Sequence, residues 1–317
     1  MSSNPSATAF SLSPILVTGG AGFIGSHLVD WLLARGHSVR VLDNLSTGSL
    51  DNLPQSHAGL QFIRGDVADV ACVEKAVAGT AAVVHLAAVA SVQASVEQPL
   101  ATHSSNLVGT LNICQTMVQA GVKRIVYASS AAVYGHNGQG QAIAEDTAKA
   151  PMTPYAIDKL SGEYYLDFYQ RQHGLEPVIF RLFNIFGPRQ NPSSPYSGVI
   201  SIFVDRARRG QPITLYGDGE QTRDFVYVAD LVQILGQALA AAQVQPGAVN
   251  VGLGRSTSLN QLLDVIGDLA GGLPAIEHAA PRAGDIRHSL ADNSRLRSRF
   301  ELPEPTSLQQ GLARLMT

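Results

Sequence analysis

The chain has 317 residues, 45% apolar and 15% charged, with 22 Lys and Arg against 25 Asp and Glu and a formal net charge of -3. That length holds two domain-sized units, or one large α/β unit with an attached lobe, and a core that needs no disulfide or metal staple. The balanced charge argues against a nucleic-acid protein with a broad basic face, while leaving room for a local basic pocket that takes a phosphorylated small molecule.

Residues 1–13, rich in Ser, Ala, Thr, Asn and Pro, read as a flexible tail. They lack the positive start and long apolar stretch of a secretory signal. The apolar run at 81–92 is broken by His85 and Ser91 and is too short for a membrane span. Cys72 and Cys114 stand in no C-x-x-C spacing, which fits a reducing compartment. A cytoplasmic protein is expected.

A short β-type run at 14–18 leads into a Gly-rich turn and an amphipathic helix that closes at Gly36 and His37. Further strands are predicted at 38–42, 60–64, 82–86, 124–128 and 177–181, with helices at 70–77, 99–120 and 154–173. Apolar strands alternating with helices predict a doubly wound, mostly parallel α/β sheet covered on both faces. From Phe183 the pattern loosens around Gly187, Pro188, Pro192, Pro195 and Gly198. The expected organisation is a sheet domain over 14–182 and a smaller lobe over 183–317, with some later segments returning to the first domain.

Glycines at 19, 22 and 25 follow the first strand and open the first helix, with Phe23 and Ile24 in the helix start. Gly19 and Gly22 allow a tight turn and close approach to a pyrophosphate, and Gly25 allows helix–strand packing. Glycine-rich turns are also common connectors, so context decides. Asp43 ends the next strand, 18 residues beyond Gly25. A carboxylate there accepts from an adenine-ribose diol and repels a 2′-phosphate, which favours NAD over NADP. The sheet is therefore expected to be of the Rossmann type. Asp66, with Val67 beside it, follows the third strand, where it could meet the adenine or be a plain turn aspartate.

Tyr155 and Lys159 are four apart on a helix opened by Pro154, so they share a face. Alone this is an ordinary surface pair. However, Ser129-Ser130-Ala131-Ala132-Val133-Tyr134-Gly135 sits at a strand's C-terminal end, where ligands bind in open α/β sheets. With the dinucleotide turn, these residues form a constellation.

At this point the sequence resembles the extended short-chain dehydrogenase/reductase family, and within it the nucleotide-sugar epimerases. The resemblance runs from Thr18 to about Arg299. It rests on T-G-G-A-G-F-I-G, L-D-N-L-S-T-G at 42–48, H-L-A-A at 85–88 and N-L-V-G-T at 106–110. It continues in P-Y-A-I-D-K at 154–159, R-L-F-N-I-F-G-P at 181–188, R-D-F-V-Y-V-A-D at 223–230 and P-R-A-G-D-I at 281–286. The resemblance implies NAD contacts from Asn44, Ser46, Gly48, Leu86, Ala87, Ala88 and Asn106, besides the glycine turn, Asp43, Asp66, Val67, Tyr155 and Lys159. Lys159 would stabilise a Tyr155 phenolate, Tyr155 would take the proton of a sugar hydroxyl, and Ser130 would bond the same oxygen.

Related 4,6-dehydratases carry Thr-Asp-Glu before Val-Tyr-Gly, and decarboxylating relatives keep a Glu there. Ser130-Ala131-Ala132 offers no acid, so elimination lacks its catalyst and epimerisation is the better match. Many 4-epimerases have a hydroxyl residue where this chain has Ala132, which leaves Ser130 as the main hydroxyl partner. A dehydratase or reductase on another nucleotide sugar, or a non-catalytic NAD-sensing scaffold, are the alternative readings.

By the same resemblance Asn184, Arg223 and Arg282 would contact a nucleotide diphosphate and Asp285 its ribose, while Val199, Leu215 and Tyr216 would flank a uracil. Arg223-Asp224 is also readable as a surface ion pair, and Asn184 as a turn residue. Ser289 stands where epimerases restricted to unacetylated sugars have a bulky tyrosine. G-D-I-R-H-S-L-A-D at 284–292 is similar to bacterial UDP-N-acetylglucosamine 4-epimerases of polysaccharide biosynthesis, so the small serine implies room for an N-acetyl group.

The nine histidines show no metal-ligand spacing, so no metal is expected. His85 should pack at its strand end. Tyr164, Tyr165, Phe168 and Tyr169 read as core or dimer surface, and relatives commonly form homodimers through this helix and the one at 99–120 as a four-helix bundle. Arg295, Arg297 and Arg299 read as a solvated face, and 145–149 as an exposed turn.

Overall fold

A computed structural model describes residues 13–136, 140–192, 198–281, 286–302 and 304–317. From the N-terminus, β1 (Ile15–Thr18), α1 (Phe23–Leu33), β2 (Val39–Asp43), β3 (Leu60–Arg64), α2 (Val70–Val77) and β4 (Ala82–His85) alternate as the hydrophobic pattern predicts. Two short helices, α3 (Val92–Glu97) and α4 (Pro99–His103), lead through a π-helical turn at Ser104–Val108 into α5 (Gly109–Ala120). The helix expected over 99–120 therefore carries an insertion in its middle, of the kind that collects at functional positions. Next come β5 (Arg124–Ser130), α6 (Pro154–His173) and β6 (Glu176–Leu182).

The remaining elements are β7 (Asn184–Phe186), α7 (Val199–Arg208), β8 (Ile213–Tyr216), β9 (Thr222–Arg223), β10 (Phe225–Tyr227), α8 (Val228–Ala240) and β11 (Val249–Val251). After them come β12 (Thr257–Ser258), α9 (Leu259–Ala270), β13 (Ile276–Ala279), α10 (Ser294–Arg299) and α11 (Leu308–Met316).

Seven strands form one parallel sheet in the order β11-β6-β5-β4-β1-β2-β3. The order reverses between β1 and β4, whose last residues Thr18 and His85 are register partners. A crevice at the carboxyl ends of the strands is expected at such a switch point. Both faces of the sheet are apolar. Val17, Val84, Val126 and Phe180 pack toward α1 and α8, in a core that continues into the second lobe through Phe203, Phe225 and Leu262. Leu16, Val83, Ile125, Tyr127 and Ile179 pack on the opposite face with Val73, Ile113, Met117 and Leu166 of α2, α5 and α6. The later strand β11 joins the sheet edge beside β6, while β7–β10, β9–β12 and β8–β13 form two-stranded ladders in the lobe. Among the described residues no helix is long and apolar enough to cross a membrane.

Two surface expectations are overturned. Glu145 is not part of an exposed turn: it is 7% exposed, and its carboxylate accepts from the Asn250 backbone N–H at 2.9 Å. Its backbone carbonyl also accepts from Lys149 Nζ at 2.7 Å. The short strand β11 leaves Asn250 needing an acceptor, and the segment before α6 folds in to supply it. The arginines of α10 are not a purely solvated face either. Arg295 donates to the Ala248 carbonyl at 2.9 Å, and Arg299 reaches the carbonyls of Gln245, Pro246 and Gly247. They satisfy the polar loop before β11, and Arg297 is the exposed member of the three.

Candidate active site

The turn between β1 and α1 is built to bring backbone close to a ligand. Gly19 has φ +68, and a Cβ there would lie 2.8 Å from the Ala87 backbone nitrogen. A Cβ on Gly25 would lie 2.2 Å from the Gly19 carbonyl oxygen, so turn and helix can touch only through glycine. The helix opens at Gly22 without a side-chain cap, so no side chain covers the amide donors of its first turn, which includes Phe23 and Ile24.

Around this turn the other predicted cofactor residues form a rim. Asp43 is 8% exposed; its two oxygens accept from the N–H groups of Ala21 at 2.9 Å and Leu45 at 2.8 Å, and each keeps acceptor capacity. Leu45, at φ +62, bends the chain so that Asn44 Nδ2 donates to Asp66 Oδ2 at 2.8 Å and Asn44 Oδ1 accepts from the Ser46 N–H. Gly48 packs on the phosphate turn, where a Cβ would stand 2.8 Å from Ala21. Val67 is buried against Gly109. On the other side, Leu86, Ala87 and Ala88 follow β4, and the Leu86 and Ala87 N–H groups donate to Thr18 Oγ1 at 3.2 Å. Asn106 is spent on the backbone: its side chain accepts from the Val89 N–H at 2.7 Å and donates to the Val89 carbonyl at 3.1 Å. It therefore orders the loop after β4 rather than pointing a free amide at a ligand.

His85 lies beneath this rim and is 1% exposed. Thr110 Oγ1 donates to the Asn106 carbonyl at 2.6 Å, so it accepts from His85 Nε2 at 3.0 Å. The Nδ1 atom must then accept from Thr18 Oγ1, 2.7 Å away. Burial, with Lys159 adding its charge, pushes the imidazole down to about 3. It is a neutral strut between the phosphate turn and the π-helical turn.

Thr153 caps α6 and Pro154 starts it, which places Tyr155 in the first turn and Lys159 one turn later. Lys159 is 3% exposed, and its Nζ donates to the Ala128 carbonyl at 2.8 Å. The ammonium lies 6.0 Å from the centre of the Tyr155 ring. Burial lowers its pKa to about 8, against the opposing charge of Asp158. For Tyr155 burial raises the phenol, and a hydrogen bond with Ser130 works the other way. Ser130 also accepts from the Ala132 N–H at 3.2 Å. Hydroxyl, phenol and ammonium thus converge at the carboxyl end of β5, an arrangement able to move a proton on a bound alcohol.

In the lobe, Arg223 is half-buried and donates to the Thr222 carbonyl at 2.9 Å. It is not half of a surface ion pair with Asp224. That aspartate is fully buried and accepts from the N–H groups of Leu253, Gly254 and Ala291. The Ser289 N–H donates to the Thr222 carbonyl at 3.1 Å, which sets Ser289 beside Arg223. Asn184 is tied through its N–H to the Asp224 carbonyl. Val199 opens α7 and Tyr216 ends β8, both partly buried. Leu215 is 1% exposed with its side chain in the core, so at this position β8 has its backbone to offer a ligand. Arg282 and Asp285 lie outside the described residues.

Residues 15–252 match the NAD dependent epimerase/dehydratase family. The chain belongs to this family. The UDP-glucose 4-epimerase of Mycolicibacterium smegmatis is 37% identical over 303 residues, covering 94% of this chain and 96% of the relative. A UDP-N-acetylglucosamine 4-epimerase from Methanobrevibacter ruminantium, solved with UDP-N-acetylmuramic acid, superposes with a TM-score of 0.91 at 37% identity, over 96% of this chain and 97% of that one. The UDP-glucose 4-epimerase of Thermus thermophilus, solved with NAD, gives 0.87 at 38% identity, over 96% and 97%.

NAD is the cofactor of the NAD-dependent epimerase/dehydratase family, and the residues here fit it. The close glycine contacts leave a cradle that any Cβ would fill, the helix start is uncapped, and a carboxylate stands on the rim. The sequence did not single out Thr18, nor Glu163 of α6, which the i+4 spacing from Tyr155 and Lys159 could have found.

Proposed function

We propose that the chain catalyses C4 epimerisation of UDP-N-acetylhexosamines, interconverting UDP-GlcNAc and UDP-GalNAc through a transient 4-keto sugar, with UDP-Glc and UDP-Gal also admitted. The observation that carries this is the convergence of Ser130, Tyr155 and Lys159 at one strand end beside a dinucleotide cradle. Relatives named as UDP-sugar 4-epimerases support the class.

Bound NAD supplies the hydride acceptor and then the hydride donor at C4, with no net turnover. Gly19, Gly22, Phe23, Ile24 and Gly25 would hold its diphosphate, and Asp43 its adenine ribose. Asn44, Ser46, Gly48, Asp66 and Val67 would line the adenine side, and Leu86, Ala87, Ala88 and Asn106 the other wall. Tyr155 takes the proton from the C4 hydroxyl as the carbonyl forms and returns it when the centre is reduced from the other face. Lys159, held on Ala128, stabilises the phenolate by its charge. Ser130 bonds the same substrate oxygen and keeps it in line with the phenol.

Arg223, with Arg282, would clamp the diphosphate by bidentate bonds, helped by Asn184; Asp285 would take the ribose, and Val199, the Leu215 backbone and Tyr216 the uracil. Ser289, next to Arg223, is the small residue that admits the N-acetyl group. Ala131 and Ala132 provide no acid for water loss, which disfavours a dehydratase. The exposed Leu100, Tyr164, Tyr165 and Phe168 on neighbouring helices support a homodimer through a four-helix bundle.

The test is to incubate purified protein with UDP-GlcNAc, without added cofactor, and follow the anomeric protons by NMR. UDP-GalNAc should appear. Conversion of UDP-glucose alone would remove the acetyl-sugar assignment, and silence on both, with NAD added, would remove the epimerase.

A further inference from the structure

The face of α6 that carries Tyr155 and Lys159 continues one turn further to Glu163. Each of the three meets a different residue at the end of β5. Ser130 is the neighbour that draws the Tyr155 phenol down, Lys159 donates to the Ala128 carbonyl at 2.8 Å, and the Glu163 carboxylate accepts from Ser129 Oγ. Ser129 thus stands between the residue that anchors the ammonium and the residue whose hydroxyl meets the phenol.

Glu163 is itself held from the neighbouring strand. Arg181 of β6 is the register partner of Ser129, and its guanidinium grips both carboxylate oxygens, with Nε–Oε1 3.0 Å and Nη2–Oε2 2.7 Å. The remaining arm of Arg181 donates to the Tyr134 hydroxyl at 2.8 Å and the Glu145 carbonyl at 2.9 Å. Glu163 and Arg181 are 6% and 5% exposed. A buried ion pair is a poor source of stability, because desolvation offsets the attraction. What it supplies here is direction, since the fork of Arg181 leaves Glu163 one orientation and that orientation holds Ser129.

We propose that Glu163 is a positioning residue for the reaction: by holding Ser129 it sets β5 against α6 and so fixes the spacing of Ser130 and Tyr155 about the reacting oxygen. This rests on the assignment of Ser130, Tyr155 and Lys159 as the catalytic groups. The device acts through a single hydroxyl, which makes it separable from the ion pair itself.

The test uses the holoenzyme with UDP-GlcNAc and UDP-glucose and compares Ser129→Ala with Glu163→Gln. Ser129→Ala removes one hydroxyl and leaves the Glu163–Arg181 pair whole, so it decides the matter even if Glu163→Gln does not fold. Expected for Ser129→Ala is a kcat lower by on the order of tenfold, the scale of a small misplacement of a catalytic group, with KM within about twofold. The acid limb of the kcat–pH profile should move to higher pH, because a weakened Ser130 bond leaves the phenol harder to ionise. A folded Ser129→Ala protein with wild-type kcat and an unmoved profile overturns the proposal, as does a raised KM at unchanged kcat. Tyr155→Phe is the control. If it keeps full activity, the catalytic assignment itself has failed; if it is inactive while Ser129→Ala is normal, only the role of Glu163 has failed.

Discussion

Lys159 Nζ and the Ala128 carbonyl oxygen are 2.8 Å apart, which ties the ammonium to the strand that also ends in Ser130. The charge is therefore held at a fixed place relative to the phenol, which under the proposed mechanism is the group whose proton moves. Replacing Tyr155 by Phe removes the proposed proton acceptor and leaves the ring in place. We expect kcat to fall by roughly 10²–10⁴-fold, the usual contribution of a general base. NAD should still co-purify, because the phosphate turn is untouched; absorbance of the released cofactor and the NMR assay together check both halves.

Ser289 and Arg223 lie side by side because the Ser289 N–H is tied to the Thr222 carbonyl. Under the proposed gate, Ser289→Tyr should lower kcat/KM for UDP-GlcNAc by at least about 10²-fold, since a ring replaces the space of the acetyl group. UDP-glucose turnover should stay within a few-fold of the parent, as its C2 hydroxyl needs no such space. Equal losses on both sugars would show that the serine is not a gate.

The His85 imidazole is kept neutral, its pKa pushed down to about 3 by burial and by Lys159. In the unfolded chain it titrates near its ordinary 6.5. Between those values the unfolded state binds the extra proton, so stability is full above pH 6.5 and is lost as pH falls toward 3. His85→Gln, which carries no titrating group, should lose less stability over that interval, by a difference on the order of a few kcal/mol at its acid end. Urea unfolding at pH 7.5, 6, 5 and 4 measures it, and parallel curves for the two proteins would contradict the assignment.

A Cβ on residue 25 would overlap the Gly19 carbonyl oxygen at 2.2 Å. Gly25→Ala must push the helix away from the turn or open the turn itself. We expect the variant to purify without NAD and to regain little activity at saturating added NAD. Added NAD should likewise raise the parent's thermal midpoint, as any ligand specific to the native state does, and should raise the variant's far less.

Much of this site was legible before the fold was known. Gly19, Gly25 and Asp43 are dictated by backbone contact and charge, and Tyr155 and Lys159 by helical spacing, so residue type and separation point to them directly. The seven-stranded order was not legible to the same degree, because β11 is three residues long and joins the sheet far from β6 in sequence. Glu145 and Arg295 were misread for a related reason. Their burial depends on the carbonyls and N–H groups that β11 brings near them, and charged residues in a loop carry no local sign of such partners. The burial of the Leu215 side chain was hidden differently: the ladder of β8 and β13 is visible only in the fold, and that side chain lies in the core.

Tyr164 and Phe168 are one turn apart on α6 and are 64% and 44% exposed, with Leu100 of α4 at 85%. Apolar surface of this kind on two adjacent helices is more than scattered exposure, and a second copy of the same face would cover it. Tyr164→Glu combined with Phe168→Glu should therefore shift a dimer to monomer in light scattering after size exclusion. Charges placed in an apolar interface are costly to bury and repel their symmetry mates. Because the substituted residues point away from β5, the monomer should keep bound NAD and a measurable kcat. A parent protein that runs as a monomer across micromolar concentrations would rule out this interface.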